Sequence, residues 1–256
     1  MGILGMLFYT ATSFLLLAIV FGALEKAFPA RKNQAVFRPA WLTDFLFFAG
    51  QYLIFGVVVL WFLTWFEGAM DAIVPTGFRA AVASQPWWLQ ALEVILLSDF
   101  LIYWGHRLQH RYDFLWRFHA VHHSAEHLDW LAAHREHPLD SIYSLTLINL
   151  PAFALGFPVE TLAGLIAFRG VRAIYIHSNV RLPIGPIRAL IGAPELHHWH
   201  HTKERVNANY ANLSPIMDVL FGTYHCPPHE PEELGINQPY PKGYIGQLLH
   251  PFRKQK

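Results

Sequence analysis

At 256 residues, the chain is 54% hydrophobic and 15% aromatic but only 14% charged, where a soluble domain carries about 25% charged residues. With a mean hydropathy of +0.26, this composition argues for a membrane protein, and the single cysteine, Cys226, excludes an internal disulfide framework or a multi-cysteine zinc site. The net charge of +1, with no basic cluster interleaved with aromatics, argues against nucleic-acid binding.

The apolar runs then follow in order. Residues 3–24 are long enough to span a bilayer and have no charged segment before them, so a retained helix is a better reading than a cleaved signal. A polar connection, Glu25 to Arg38, leads to a second span at 41–66, interrupted by Asp44 and Gln51. A third, at 87–104, runs into a histidine cluster. Two shorter apolar halves, within 142–176, are divided by Gly156 and Pro158. At about 16 to 18 residues each, they fit a helical hairpin better than two full crossings. Trp87, Trp88 and Trp104 fall at span ends, where interfacial belts form, and Trp116 and Trp130 are placed at a similar depth. Pro227 to Lys256 is Pro-rich and polar, and reads as irregular.

The first connection carries Lys26, Arg31, Lys32 and Arg38, whereas 67–86 carries only Arg79 among basic residues. The positive-inside rule therefore puts the first connection, and everything after the third span, on the cytoplasmic side. The expected fold is all-α: a membrane helical bundle with a cytoplasmic helical cap. It forms one domain over 1–256, with its catalytic region at 99–224.

Thirteen of the 16 histidines lie between 106 and 201. On a helix, residues i, i+3 and i+4 share a face. His106 and His110 can thus grip one ion. His119, His122 and His123 present three imidazoles, the adjacent pair diverging by about 100°, which suits two ions. His197, His200 and His201 repeat that spacing, although pairing His198 with His201 is an alternative. Eight imidazoles exceed the three or four protein ligands of one tetrahedral ion, so two metals with open positions are the simplest reading. His127, His134, His225, His229 and His250 read as solvated polar residues. Asp113, Glu126, Asp129, Asp140 and Glu195 are near enough in sequence for one or two to accept ligand N–H groups.

The three boxes, in this order after a transmembrane segment, resemble the fatty acid hydroxylase/sterol desaturase superfamily of membrane-bound non-haem di-iron enzymes. The resemblance runs from about Trp87 to Tyr224. It includes Arg135-Glu-His137-Pro138, His177-Ser-Asn179, Asn209-Tyr210 and Asp218-Val-Leu-Phe-Gly-Thr-Tyr224. It implies that the eight histidines are ligands and adds His177 and His137. One departure is Ala211, where Gly usually follows the Asn-Tyr pair. The resemblance further implies an all-helical membrane enzyme in which two iron ions and O2 oxidise a lipid C–H bond. Hydroxylation is the first expectation and desaturation a variant; the lipid would come from the bilayer. Imidazole-bound iron with open positions suits O2 and redox chemistry, which zinc does not.

No dinucleotide fingerprint or fused electron-transfer module is present, so a separate reductase or small electron carrier is implied. Arg107, Arg111, Arg117, Lys203 and Arg205 are available to dock an acidic carrier. Two other function classes use the same imidazoles. A membrane metal transporter or store would favour ionisable residues at mid-membrane depth, where the spans offer chiefly Asp44, Glu93 and Asp99. A bis-histidine haem carrier would leave the triplets unexplained.

Overall fold

The computed structural model describes residues 2–157, 159–204 and 207–253, with the side chains of 159–163 outside the description. Pro158, expected at the hairpin turn, and Arg205, expected at the docking face, fall outside the described residues. Among those described, β-pairing is confined to two isolated bridges, Pro29 with Val180 and Thr202 with Leu234.

Helix α1 (Ile3–Ala27) is apolar all round, and Leu4, Phe8, Leu16 and Ile19 stay exposed. Such a surface is at home in lipid rather than water. Helix α2 (Trp41–Gly50), one π-helical stretch (Gln51–Phe55) and α3 (Gly56–Ile73) form a continuous 33-residue rod. The short α4 (Thr76–Ala83) leads to α5 (Trp87–Arg111). Among the described residues, the rod, α1 and α5 are the three helices long and apolar enough to cross a membrane.

Sequence reasoning ends the third span at Trp104, but α5 continues unbroken to Arg111. At about 1.5 Å per residue, His106 lies roughly 28 Å along the helix from Trp87, close to the ~30 Å thickness of a bilayer core. The first box is therefore a rigid extension of the span.

Tyr112 is extended, and α6 (Asp113–His123) turns back across the end of α5. Helices α7 (Pro138–Leu155) and α8 (Val159–His177) form the hairpin. Gly156 ends α7 at φ 94°, a conformation that favours glycine. Arg79 Nη2 donates to the Phe153 carbonyl at 2.9 Å, fastening the hairpin tip to α4. The hairpin thus runs the depth of the bundle, since α4 joins the second and third spans. Helix α7 packs closely against α5 at Gly105, where a Cβ would overlap Leu147. Tyr143 Oη donates to the Gly105 carbonyl at 3.2 Å, and Ser98 Oγ to the Ile148 carbonyl at 2.6 Å.

After α8 come α9 (Arg188–Ile191), α10 (Pro194–His200), α11 (Ile216–Leu220) and α12 (Tyr244–Leu249). The tail is therefore not irregular throughout: α12 lies against α2, with Tyr244 edge-on to Phe47. Trp130 is also not interfacial. It is buried with Phe21, Phe48, Leu131 and Ile174, edged by Phe14.

A buried ion quartet joins the second span to the loop after α6. Arg38 grips Asp44 at 2.7 Å and Asp129 through two nitrogens, while Arg135 Nε reaches the other oxygen of Asp44. Two cations and two anions balance, so the burial is tolerable; removing one leaves an uncompensated charge. Glu25, near the end of α1, accepts from the amides of Trp130 and Asn179 at 2.8 and 3.0 Å. These contacts tie the first span to the loops on either side of the hairpin.

Candidate metal centre

Nine histidines converge. One group is His106, His110, His119, His123 and His200; the other is His122, His177, His197 and His201. Within each group the offered ligand atoms lie within 4.8 Å of one another. The step of about 100° between neighbours on a helix divides the second and third boxes: His122 and His123 go to opposite groups, as do His200 and His201, whereas His106 and His110 of the first box both go to the five-histidine group.

The outer ring nitrogens are held first. His106 Nδ1 donates to the Tyr210 carbonyl at 2.8 Å, His122 Nδ1 to Arg135 at 3.1 Å, His177 Nδ1 to Ala173 at 2.7 Å and His200 Nδ1 to Ala208 at 2.8 Å. His119 Nδ1 donates to the Asp140 carboxylate at 2.9 Å. A neutral imidazole has one N–H, so in these five rings Nε2 is a bare lone pair. Yet His106 and His119 bring their Nε2 atoms to 3.0 Å, and His122 and His177 to 2.9 Å. Two lone pairs at that distance repel unless a cation lies between them.

The spacing also fits an ion. Nitrogens about 2.1 Å from a metal and at right angles are about 3.0 Å apart. The remaining ring contacts, His123 with His119 at 3.1 Å, His197 with His177 at 2.8 Å and His201 with His197 at 3.0 Å, match that edge. His110 Nε2 and His200 Nε2 are buried with no hydrogen-bond partner among the described residues. Burial, reinforced by neighbouring imidazoles, holds His119, His123, His197, His200 and His201 neutral well below the ordinary histidine range. Burial lowers His122 to about 4. The donor set is neutral at physiological pH and suits an imidazole-rich cation site.

His137 lies outside both groups, contrary to its expected place among the ligands. Its Nδ1 accepts from the Leu139 amide at 3.1 Å, capping α7, and its Nε2 faces the Leu248 carbonyl at 3.2 Å. Neither nitrogen is left for a metal. His198 is committed similarly, to Glu230 at 2.6 Å and the Ser178 carbonyl at 3.1 Å. His134, expected in solvent, is buried, with Nδ1 against Gln51 Oε1 at 2.9 Å.

Of the five candidate acidic partners, only Asp140 touches a ligand. Asp129 pairs with Arg38 and Glu195 with Arg188; Asp113 and Glu126 are exposed. Sequence reasoning missed Gln109, whose buried amide donates to the other oxygen of Asp140. Its place inside the first box, three residues after His106, was the available signal. The Arg135 carbonyl, which holds His122, was equally hidden because its position depends on the ion quartet.

A cavity of about 300 Å³ opens onto His110, His123 and His200, with Asp113, Lys203 and Asn237 in its walls. Trp116, expected as a membrane anchor, lines it with its ring centroid 5.1 Å from that of His110. Arg107, one of the proposed docking cations, instead reaches Tyr103 Oη at 3.3 Å and lies over Trp104.

A protein-family model described as fatty acid hydroxylase matches residues 91–223, just over half of the chain and covering all nine converging histidines. The chain belongs to this family. Its relatives include an ornithine lipid hydroxylase of Rhizobium tropici, 34% identical over 203 residues, which cover 72% of this chain and 61% of the relative. The human alkylglycerol monooxygenase is 33% identical over 144 residues, 55% of this chain and 31% of its own length. A rice very-long-chain aldehyde decarbonylase is 31% identical over 157 residues, with 57% and 58% coverage. The chain thus spans from about a third to three fifths of the length of these relatives. No solved structure matches.

The family-like segments outside the boxes have a physical role here. Asp218 accepts from the amides of Tyr210 and Ala211 at 2.8 and 2.9 Å and from Thr223 Oγ1 at 2.8 Å. Asn209, at φ 59°, bonds Leu196 and His225. Together they fix the loop whose Ala208 and Tyr210 carbonyls aim His200 and His106. Ala211 has no left-handed φ, so alanine serves where glycine is usual.

Proposed function

We propose that the chain is a membrane-bound oxygenase that binds two iron ions through its histidine boxes and uses O2 to hydroxylate a C–H bond of a lipid from the bilayer. The observation that carries this is the pairing of bare Nε2 atoms within two adjacent all-imidazole groups. The names of the hydroxylase and monooxygenase relatives support hydroxylation ahead of desaturation. The ligands in this reading are His106, His110, His119, His123 and His200 for one ion and His122, His177, His197 and His201 for the other. His137 is a helix cap.

Bound iron would supply the O2-binding and electron-transfer chemistry that no side chain offers. The protein's part is to keep nine imidazoles neutral and aimed, to hold the outer N–H groups on fixed acceptors, and to exclude water around them. One oxygen atom enters the C–H bond and the other leaves as water, with two electrons and two protons supplied. The electrons come from a separate carrier or reductase. The charge bias of the connections supports a multi-pass topology with this site on the cytoplasmic face.

The test is lipid analysis of cells expressing the chain or its His122→Ala variant under ¹⁸O2. A lipid gaining one labelled oxygen only with the native chain supports the proposal. Identical lipid profiles with comparable membrane-inserted protein contradict it.

A further inference from the structure

A second polar cluster lies on the membrane side of the metal centre. Arg169, on α8, is buried and reaches Asp99 of α5 at 3.3 Å through Nη1, yet its Nε and Nη2 have no acceptor among the described residues. One turn along, Arg172 lies over the Tyr175 ring, its Nη2 donates to the Ile191 carbonyl at 2.6 Å and Nε to Leu213 at 3.3 Å, while its buried Nη1 has no hydrogen-bond partner among the described residues. Asp99 also takes the Ser214 amide. Asp99 pairs with Arg169, Arg172 is held by backbone carbonyls, and three buried guanidinium nitrogens are left without an acceptor among the described residues. Buried cationic donors are seldom left so, because desolvation is not recovered without a partner.

The surroundings point to the source of that acceptor. Phe168 and Val171, beside the two arginines on α8, are exposed, as are Leu190, Ile191, Val219 and Leu220 on α9 and α11. This apolar rim belongs in lipid. Gly192, at φ 70°, has no Cβ; one would overlap the Arg172 guanidinium. A cavity of about 20 Å³, room for about one water, is lined by Arg172 and His197.

We infer that Arg169 and Arg172 form an oxyanion site that receives the phosphate or carboxylate headgroup of a lipid entering between α8 and the α9–α11 corner. Multi-oxygen anions match forked guanidinium donors. The site deepens the lipid-oxidase reading by naming an acidic headgroup as the recognised element, but its binding test is independent of turnover.

The experiment uses the full chain in dodecylmaltoside, with bound lipid counted by native mass spectrometry. The probes are dioctanoyl phosphatidic acid, dioctanoylglycerol and inorganic phosphate. Metal content is read on the same samples. Native protein should retain the phosphatidic acid well above the neutral lipid. Arg169→Gln and Arg172→Gln should weaken it about tenfold or more, as for loss of a charge-assisted hydrogen bond, with metal content unchanged. Asp99→Asn should tighten it, because it removes the competing carboxylate; a merely structural role for the pair would not produce that gain. Equal affinity in the arginine variants, or no preference over dioctanoylglycerol, would overturn the site. Inorganic phosphate binding as tightly as the lipid would overturn its assignment to a headgroup. Loss of metal from native protein would count against the oxidase reading alone.

Discussion

Replacing Asp140 by alanine should distinguish the two metal groups. Its carboxylate accepts from His119 Nδ1 at 2.9 Å and from the Gln109 amide, and all three residues are buried. Alanine orphans two donors, each costing about 1–3 kcal/mol, so the metal-free protein should lose roughly 2–6 kcal/mol of stability. Loss of an outer-shell acceptor typically weakens metal binding by about 10–100-fold, or about 1.4–2.8 kcal/mol. His119 belongs only to the five-histidine group, so one ion should leave first. Asp140→Asn should lose less, because its carbonyl can still face His119 while Gln109 turns its own carbonyl to the new amide. The assay is metal content by mass spectrometry across a graded chelator series. Biphasic release in the alanine variant is expected. Both ions leaving together, or neither loosened, would refute the assignment of Asp140 to His119 alone.

Other variants probe neighbouring parts of the account. His137→Ala should keep full metal content and lose about 1 kcal/mol, the worth of a helix cap; loss of an ion on metal analysis would restore it as a ligand. Asp44→Ala leaves Arg38 and Arg135 without their shared carboxylate. It should destabilise by about 3–5 kcal/mol and loosen the group that His122 belongs to, measurable by thermal melting and chelator titration. Metal-stripped protein should also respond to pH. The folded-state imidazoles lie below the ordinary 6.5, His122 at about 4, so the unfolded chain binds more protons as pH falls. The imidazole contribution to stability should therefore be flat above about pH 6.5 and decline between there and about pH 4, read as the difference between the native chain and a His122→Ala variant. A melting difference that is unchanged or raised at about pH 5 would contradict this.

How much of this was legible follows from the range of each interaction. Spans and boxes are local patterns of hydrophobicity and helical spacing, so the three membrane helices and the split between His122 and His123 could be read directly. The end of α5 could not, because His106 to Arg111 is too polar to count as part of a membrane span, although the His106–His110 spacing already reads as helical. His137 is expected among the ligands because the family resemblance includes its segment; only the fold reveals its contacts with Leu139 and Leu248. Gln109, Asp140 and the Arg135 carbonyl act through partners 13 to 31 residues away, and the Arg38–Asp129 pair closes over 91 residues. No single-sequence period reports contacts at that separation.

The central claim is that two ions sit in two interleaved histidine groups. Its most direct test is metal analysis of the full chain loaded with ferrous iron under anaerobic conditions, beside His119→Ala and His177→Ala. The account predicts about two ions in the native chain and about one in each variant, each variant keeping the ion of the group it leaves intact. One ion in the native chain, or two in either variant, would contradict it.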